Sequence, residues 1–350
     1  MGNGSLAILK KLFVLLLLMA VLAAGAVFFA ASWLNQWADT PMSLSQDRVL
    51  NVPSGSSLYK LSIELEQLGL IEQGRYLRWY IKLNKLGHLI QAGEYKIPLG
   101  TSPAQLINRI QSGDVIKYSV TLINGHSFQQ FMQALDADPV LVKRLPDMSV
   151  KEILAALGEK RSHPEGLFYP DTYHFQRGDS DLDVLARAYQ RMQALLQQAW
   201  DQREEGLPYK SPYDALIMAS IVEKETAVGE ERSLIAGVFV NRLNKRMRLQ
   251  TDPTIIYGLG DQYKGNITRA HLKAYTPYNT YRINGLPPTP IANPALPAIE
   301  AALHPATTNA LYFVAKGDGS HHFSETLQEH QRAVRKYQWK RRSDYRSSPK

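Results

Sequence analysis

Hydrophobic and polar positions divide the chain into regimes. Leu12–Trp33 is a run of 22 uncharged, mostly apolar residues, long enough to cross a bilayer as one helix. Asn35–Gln46 is polar and serves as a spacer. Through residues 50–116, short amphipathic stretches alternate with Gly, Pro and Ser clusters, predicting helices near 57–68, 75–84 and 103–111 and a strand within Leu89–Ile97. Beyond them, helical periods mark Ser149–Leu157, Asp181–Gln202, Ala215–Thr226 and Leu234–Leu243, and Leu311–Ala315 reads as a strand. Lys316–Gly319 is a turn. The mixture predicts an α+β fold.

A spacing recurs. Gly55-Ser56-Ser57, Gly100-Thr101-Ser102 and Gly125-His126-Ser127 are each followed four residues after the Ser by an apolar residue: Leu61, Leu106 and Phe131. A strand end, a glycine turn, a hydroxyl N-cap and a helix explain the pattern, because the Ser oxygen accepts from orphan N–H groups of the first turn. Pro103 suits a first helical position.

Ala215–Thr226 (ALIMASIVEKET) combines apolar periodicity with chemistry. Ile217, Ile221 and Glu225 recur at i, i+4 and i+8, with Met218 and Val222 beside them. The spacing sets Glu225 near the middle of the apolar stripe and turns Glu223 to the wet side. Burial disfavours the charged carboxylate, so the pKa of Glu225 should rise far enough for proton donation near neutral pH. The alternative is a buried Glu paired with an Arg.

Charge and composition narrow the classes. The formal net charge is +8, and residues 331–350 hold eight Lys or Arg against one Asp, so the body is nearly neutral. The tail is either a solvated helix end or a contact for anionic polymer or lipid headgroups. Without cysteine, disulfides, zinc–thiolate sites and thiol catalysis are excluded. Lys10 and Lys11 precede the apolar run, favouring a cytoplasmic N-terminus and an exported remainder; the rival is a signal peptide cleaved around Ala23–Ala26. Nucleic acid is not expected as a partner of an exported protein. His321 and His322 would point to opposite faces of a strand, no HExxH spacing occurs, and Ser320 lacks a G-x-S-x-G setting. Neither a metal nor another cofactor is expected.

The remaining motifs converge. Ala219–Thr226 (ASIVEKET), Leu249–Thr254 (LQTDPT), Tyr278–Tyr281 (YNTY), Gly285–Pro288 (GLPP), Ile291–Pro294 (IANP) and Glu165–Tyr173 (EGLFYPDTY) occur in this order with the apolar N-terminal run. Together they resemble the YceG-like endolytic murein transglycosylases. The resemblance implies residues 1–11 in the cytoplasm, a transmembrane helix over 12–33, a spacer over 34–48, a LysM-like module over 49–118, a mixed α+β catalytic domain over 119–335 with its catalytic Glu on a helix, and a basic tail over 336–350. It implies a single-pass protein of the inner membrane with the catalytic part in the periplasm. The implied activity is lytic cleavage of the β-1,4 bond between N-acetylmuramic acid and N-acetylglucosamine within peptidoglycan glycan strands, leaving 1,6-anhydro ends and trimming nascent strands. Penicillin-binding synthases are the implied partners.

By the same resemblance Glu225 is the catalytic residue, followed by Thr226 where related enzymes carry Ser. One carboxyl group suffices for this chemistry, since the sugar's own 6-hydroxyl replaces the water that a hydrolase must position. A hydrolase needs a second carboxylate, for which Asp252 is the candidate; an Asp before Pro253 equally suits a turn. Thr226 is expected to contribute to substrate binding, Gln250, Thr251 and Asp252 to hydrogen-bond sugar or peptide, and Tyr257, Tyr278, Asn279 and Tyr281 to stack on pyranose faces or bind N-acetyl groups. A non-catalytic peptidoglycan-binding scaffold is the competing function.

Overall fold

The structure is a computed structural model that describes residues 3–87 and 90–339. Leu89, where the first-region strand was expected to begin, and tail residues 340–350 lie outside the described residues. Chain contacts divide the molecule into two compact units: residues 1–118 with 176–178, and 119–175 with 179–350.

The first unit opens on helix α1 (Asn3–Asp39), followed by β1 (Arg48–Val52), α2 (Leu58–Gln67), α3 (Gly74–Leu83), β2 (Gly93–Ile97) and α4 (Pro103–Ser112). Residues 12–30 of α1 are exposed and uncharged, as a membrane-spanning helix must be. Strands β1 and β2 pair antiparallel from Arg48↔Ile97 to Val52↔Gly93. Alternation along them buries Leu50, Val52, Tyr95 and Ile97 against Leu61, Leu65, Leu77, Ile81, Leu106 and Ile110 of the helices. Val49 and Lys96 face away from that core. On the same outward side, Glu94 is shielded by accepting from the Tyr118 hydroxyl at 2.6 Å and pairing with Arg177 at 2.6 Å.

The second unit contains β3 (Tyr118–Thr121, which starts at the boundary), α5 (Phe128–Ala137), α6 (Val150–Ala156), β4 (Thr172–Phe175), α7 (Asp181–Asp201), α8 (Pro212–Glu225), α9 (Arg232–Asn244), α10 (Asp252–Leu259), α11 (Arg269–Lys273), α12 (Leu296–Leu303), β5 (Tyr312–Ala315), β6 (His321–Ser324) and α13 (Leu327–Val334). β3 pairs with β4, and β5 pairs antiparallel with β6. His321 is buried and His322 exposed on β6, as alternation requires. All three repeated Ser residues cap their helices: Ser57, Ser102 and Ser127 accept from the backbone N–H three residues on. The glycines before them have φ of 76°, 82° and 73°, a region that side-chain-bearing residues rarely enter.

Helix α8 departs from the amphipathic expectation. Every residue from Ala215 to Val222 is buried, because α7, α9, α10 and α12 all pack on it. A helix apolar all round is an interior helix; no single stripe exists, and Glu225 is its final residue instead of sitting mid-stripe. Ser211 caps the start and Pro212 takes the first position. Within the core, the Ser220 hydroxyl donates to Ile217 O at 2.7 Å and accepts from Ile291 N at 3.0 Å, tying the Ile291–Pro294 segment to α8. Glu223 is not free on a wet face either: it accepts from Asn124 Nδ2 at 2.7 Å and from Ala295 N at 3.1 Å.

Helix α9 makes a close approach at Gly237, where a Cβ would collide with the Ala306 carbonyl oxygen and press on the Thr308 methyl at 3.0 Å. Gly237→Ala gains up to about 1 kcal/mol of helix propensity but incurs an overpacking cost of about 1–3 kcal/mol. Denaturant unfolding should show a net loss of stability; an unchanged or raised midpoint would contradict this packing.

Candidate active site

Two segments meet at the Glu225 carboxyl, the C-terminus of α8 and the Leu249–Thr251 segment leading into α10, and the Tyr278–Tyr281 turn braces the second of them. The Thr251 hydroxyl donates to Glu225 Oε1. Burial pushes the Glu225 carboxyl up to about 7; the Thr251 hydrogen bond pulls it back, the charge of Asp252 raises it, and that of Arg242 lowers it. The negative end of the α8 dipole acts in the same sense as burial. Among the described residues no cation lies within ion-pair distance of Glu225. Arg242 is buried nearby but spends its donors on backbone: Nε donates to Leu311 O at 2.6 Å and Nη1 to Leu249 O. Its guanidinium lies 5.4 Å from the centre of the Tyr312 ring. The simple buried Glu–Arg pair is therefore not what α8 carries.

Thr251 is positioned by a knot of hydroxyls. Its N–H donates to Thr280 Oγ1 at 3.0 Å, and its carbonyl accepts from Thr254 Oγ1 at 2.8 Å and Thr280 Oγ1 at 3.3 Å. Thr254 and Thr280 lie 2.8 Å apart. Both are wholly buried. Gln250 precedes this knot at φ 50°, a left-handed conformation that costs a non-glycine residue about 1–3 kcal/mol. Its N–H bonds to Thr280 O at 3.1 Å, and its side chain is exposed. The strain is held by the buried residues on either side, Leu249 and Thr251.

The other expected site residues separate into two groups. Asp252 is exposed at the first position of α10 and accepts from the Tyr281 hydroxyl at 2.7 Å. Tyr257 and Tyr278 meet edge to face at 5.0 Å, and the Tyr278 hydroxyl contacts Thr289 Oγ1 at 2.8 Å. These four are partly or fully accessible. Asn279 is buried, its amide donates to the carbonyls of His271 and Ala274, and its oxygen accepts from Tyr281 N. These bonds shape the turn. Thr226 is likewise buried, and its hydroxyl accepts from Val228 N at 3.0 Å, which closes the chain after α8.

A second carboxyl emerges that the sequence motifs contain without singling out. Glu165, only 4 % exposed, accepts from Phe128 N at 2.8 Å and Asn293 Nδ2 at 3.2 Å. Burial raises it to about 7, opposed by the hydrogen bonds from Phe128, Tyr257 and Gly166 and by the charge of Lys224. Tyr257, whose ring packs on Tyr278, lies close enough to Glu165 to act on its charge. Asn293 holds the surroundings together: Oδ1 accepts from Phe168 N at 3.2 Å, and Nδ2 also donates to His126 O at 3.1 Å. Thr254, Thr280, Glu165 and Asn293 all lie inside motifs quoted from the sequence, yet only their long-range partners give them roles. No group of three or more potential metal ligands occurs among the described residues.

Comparison with known proteins places these features in context. The model of the YceG-like family matches residues 50–336. A Bacillus subtilis protein named endolytic murein transglycosylase is 33 % identical over 308 residues, spanning 82 % of this chain and 84 % of that protein. A Streptococcus pneumoniae protein of the same name is 28 % identical over 356 residues, 91 % of this chain but only 63 % of its own length. A crystal structure of a YceG-like protein from Listeria monocytogenes matches with a TM-score of 0.53 at 29 % identity, covering 83 % of this chain and 99 % of that one.

Raised carboxyls tie stability to pH. Glu165 holds its proton up to about 7 when folded, against 4.5 as its ordinary value. Between those values the folded state binds a proton that the unfolded state has released, so stability falls as pH rises through the window and levels off above it. The effect is on the order of 3 kcal/mol. Glu165→Gln should therefore flatten the decline in melting temperature between pH 5 and 8. A variant whose decline parallels the parent's would show that Glu165 is not the proton-holding group.

Proposed function

The chain belongs to the YceG-like family, and on that footing we propose that it is an endolytic peptidoglycan lytic transglycosylase with Glu225 as its single acid and base. The observation that carries this reading is a carboxyl group raised to about 7 by burial, bonded by the Thr251 hydroxyl and, among the described residues, without an ion pair. Such a group is protonated often enough near neutral pH to act as a donor and basic enough afterwards to take the proton back.

In the reaction proposed, protonated Glu225 donates to the bridging glycosidic oxygen as the bond from muramic C1 breaks. Positive charge develops at C1 and the ring oxygen. The muramic 6-hydroxyl oxygen then bonds to C1, and its proton passes to the Glu225 carboxylate. One C–O bond is broken and one formed, no water is consumed, and the acid is regenerated. The products are a 1,6-anhydromuramoyl end and a free 4-hydroxyl. The Thr251 hydroxyl fixes the carboxyl rotamer, and its hydrogen bond favours the ionised form needed in the second half. Tyr257 and Tyr278 supply an aromatic surface for a pyranose ring, while Gln250, Asp252 and Tyr281 offer polar groups at its edge. Asp252 already accepts the Tyr281 hydroxyl, which favours a binding role over that of a hydrolase's second carboxylate.

The wider reading assigns residues 119–335 to catalysis and 49–118 to a LysM-like module, the latter supported by the β1–α2–α3–β2 order. With α1 spanning the inner membrane and the remainder in the periplasm, the enzyme would act on strands emerging near the bilayer, alongside penicillin-binding synthases.

Glu225→Gln should abolish release of anhydro-muropeptides from isolated sacculi, a loss of at least about 100-fold by the usual contribution of a general acid. Mass spectrometry in ¹⁸O-water should find no label in wild-type products; label at a reducing-end muramic acid would instead establish hydrolysis. Retained activity in Glu225→Gln would remove Glu225 from the mechanism. Activity should fall as pH rises through about 7, since the donor must start protonated. Thr251→Val removes a bond to the ionised carboxylate and should move that falling limb upward by up to about one pH unit, with Thr251→Ser restoring it. A limb that stays put in Thr251→Val would mean that the hydroxyl does not act on Glu225.

A further inference from the structure

The first unit carries an aromatic and cationic face with no role in the site just described. Trp33 closes the apolar run of α1. At 1.5 Å per residue the 22 residues Leu12–Trp33 span about 33 Å, the hydrocarbon thickness of a bilayer and little more. Trp33 therefore lies at the membrane–water boundary, where Trp and Tyr concentrate. What touches Trp33 lies at that level too. The Tyr76 ring of α3 packs edge to face on Trp33 at 5.1 Å and on Trp37 at 5.6 Å.

The orientation of α3 follows from a second contact. Asn84, just past its end, donates to Asn35 Oδ1 at 2.9 Å. Tyr76 and Asn84 are eight residues apart, about 12 Å of helix axis, yet both meet the same turn of α1, residues 33–37. A helix running alongside α1 would meet turns two apart. α3 thus crosses α1 at the depth of the boundary and lies along the bilayer surface.

Its outward face suits that position. Arg75, Trp79, Lys82 and Leu83 recur at i, i+4, i+7 and i+8 and all are exposed, Trp79 at 55 % and Leu83 at 43 %. Leu77 and Ile81 on the opposite face enter the core. The Arg75 guanidinium stands 5.4 Å from the Tyr76 ring and 5.9 Å from the Trp79 ring. Large apolar side chains flanked by cations are the composition of an interfacial helix on anionic lipid.

We propose that this face of α3 is a second membrane contact, seated among the phospholipid headgroups of the leaflet at the Trp33 end of α1. A single spanning helix leaves the attached unit free to swing and rotate; a second contact two ring stackings away from Trp33 removes that freedom. Lipid is the occupant that the geometry favours over glycan or protein, because the face continues the boundary already marked by Trp33 and Trp37.

The absence of native cysteine makes the test direct. The full chain would be placed in nanodiscs of phosphatidylethanolamine and phosphatidylglycerol with one nitroxide label, at Trp79→Cys, Leu83→Cys or Val49→Cys. Val49 is equally exposed, at 59 %, on the sheet face turned away from α3. Labels at 79 and 83 should collide several-fold more with oxygen, relative to a water-soluble nickel chelate, than the label at 49. Equal nickel access at all three positions would overturn the proposal. So would protection at 79 and 83 that appears only when glycan strands or a membrane-bound synthase is added, which would assign the face to that partner.

Discussion

The second unit is organised around one carboxyl group drawn away from water with no ion-pair partner among the described residues. A buried carboxylate normally takes an Arg or Lys as partner and stays ionised. Here the buried guanidinium that acts on Glu225, that of Arg242, is already bonded to the carbonyls of Leu311 and Leu249. It moderates the carboxyl from a distance without capturing it. The neutral donor Thr251 takes the place an ion pair would have filled. Surrounding α8 with four other helices supplies the apolar burial that offsets the desolvation, and ending that helix at Glu225 brings the carboxyl to the boundary of the packed interior.

Local signals carried much of this architecture. The three glycine–serine turns cap helices where their spacing predicts, since capping depends only on residues within one turn of each other. Helices α6, α7 and α9 follow their apolar periods to within about two residues. The importance of Ala215–Thr226 was legible because a carboxylate among apolar residues is conspicuous in any frame. Its geometry was not: periodicity presumes one buried face, and a helix packed on all sides has none. Helix α10 was also hidden, because Asp252-Pro253 looks like a turn and serves equally as a helix start.

The remainder of the site escaped for a different reason. Glu165 is dry because Phe128 and Asn293 close over it from 37 and 128 residues away, and nothing near position 165 announces that burial. Thr280 matters because it faces Thr251 across 29 positions of chain. Asn279 shows the converse: a polar residue between two tyrosines in a motif suggests a ligand contact, and in the fold its amide bonds the backbone of its own turn. Motif membership points to segments that do pair in three dimensions, but only that pairing gives each residue within them its partners.

Asn293 has a kinetic consequence. Its amide closes chain loops of 125 residues to Phe168 and 167 residues to His126. Closing such loops forfeits entropy before any contact rewards it, and topologies rich in them fold slowly. The earlier helices can form as the chain emerges, but these stitches wait until almost three hundred residues are present. Lytic competence is thus gained abruptly and late in biogenesis, and a truncated or stalled polypeptide ending before this asparagine would be inert toward the wall it was made to cut.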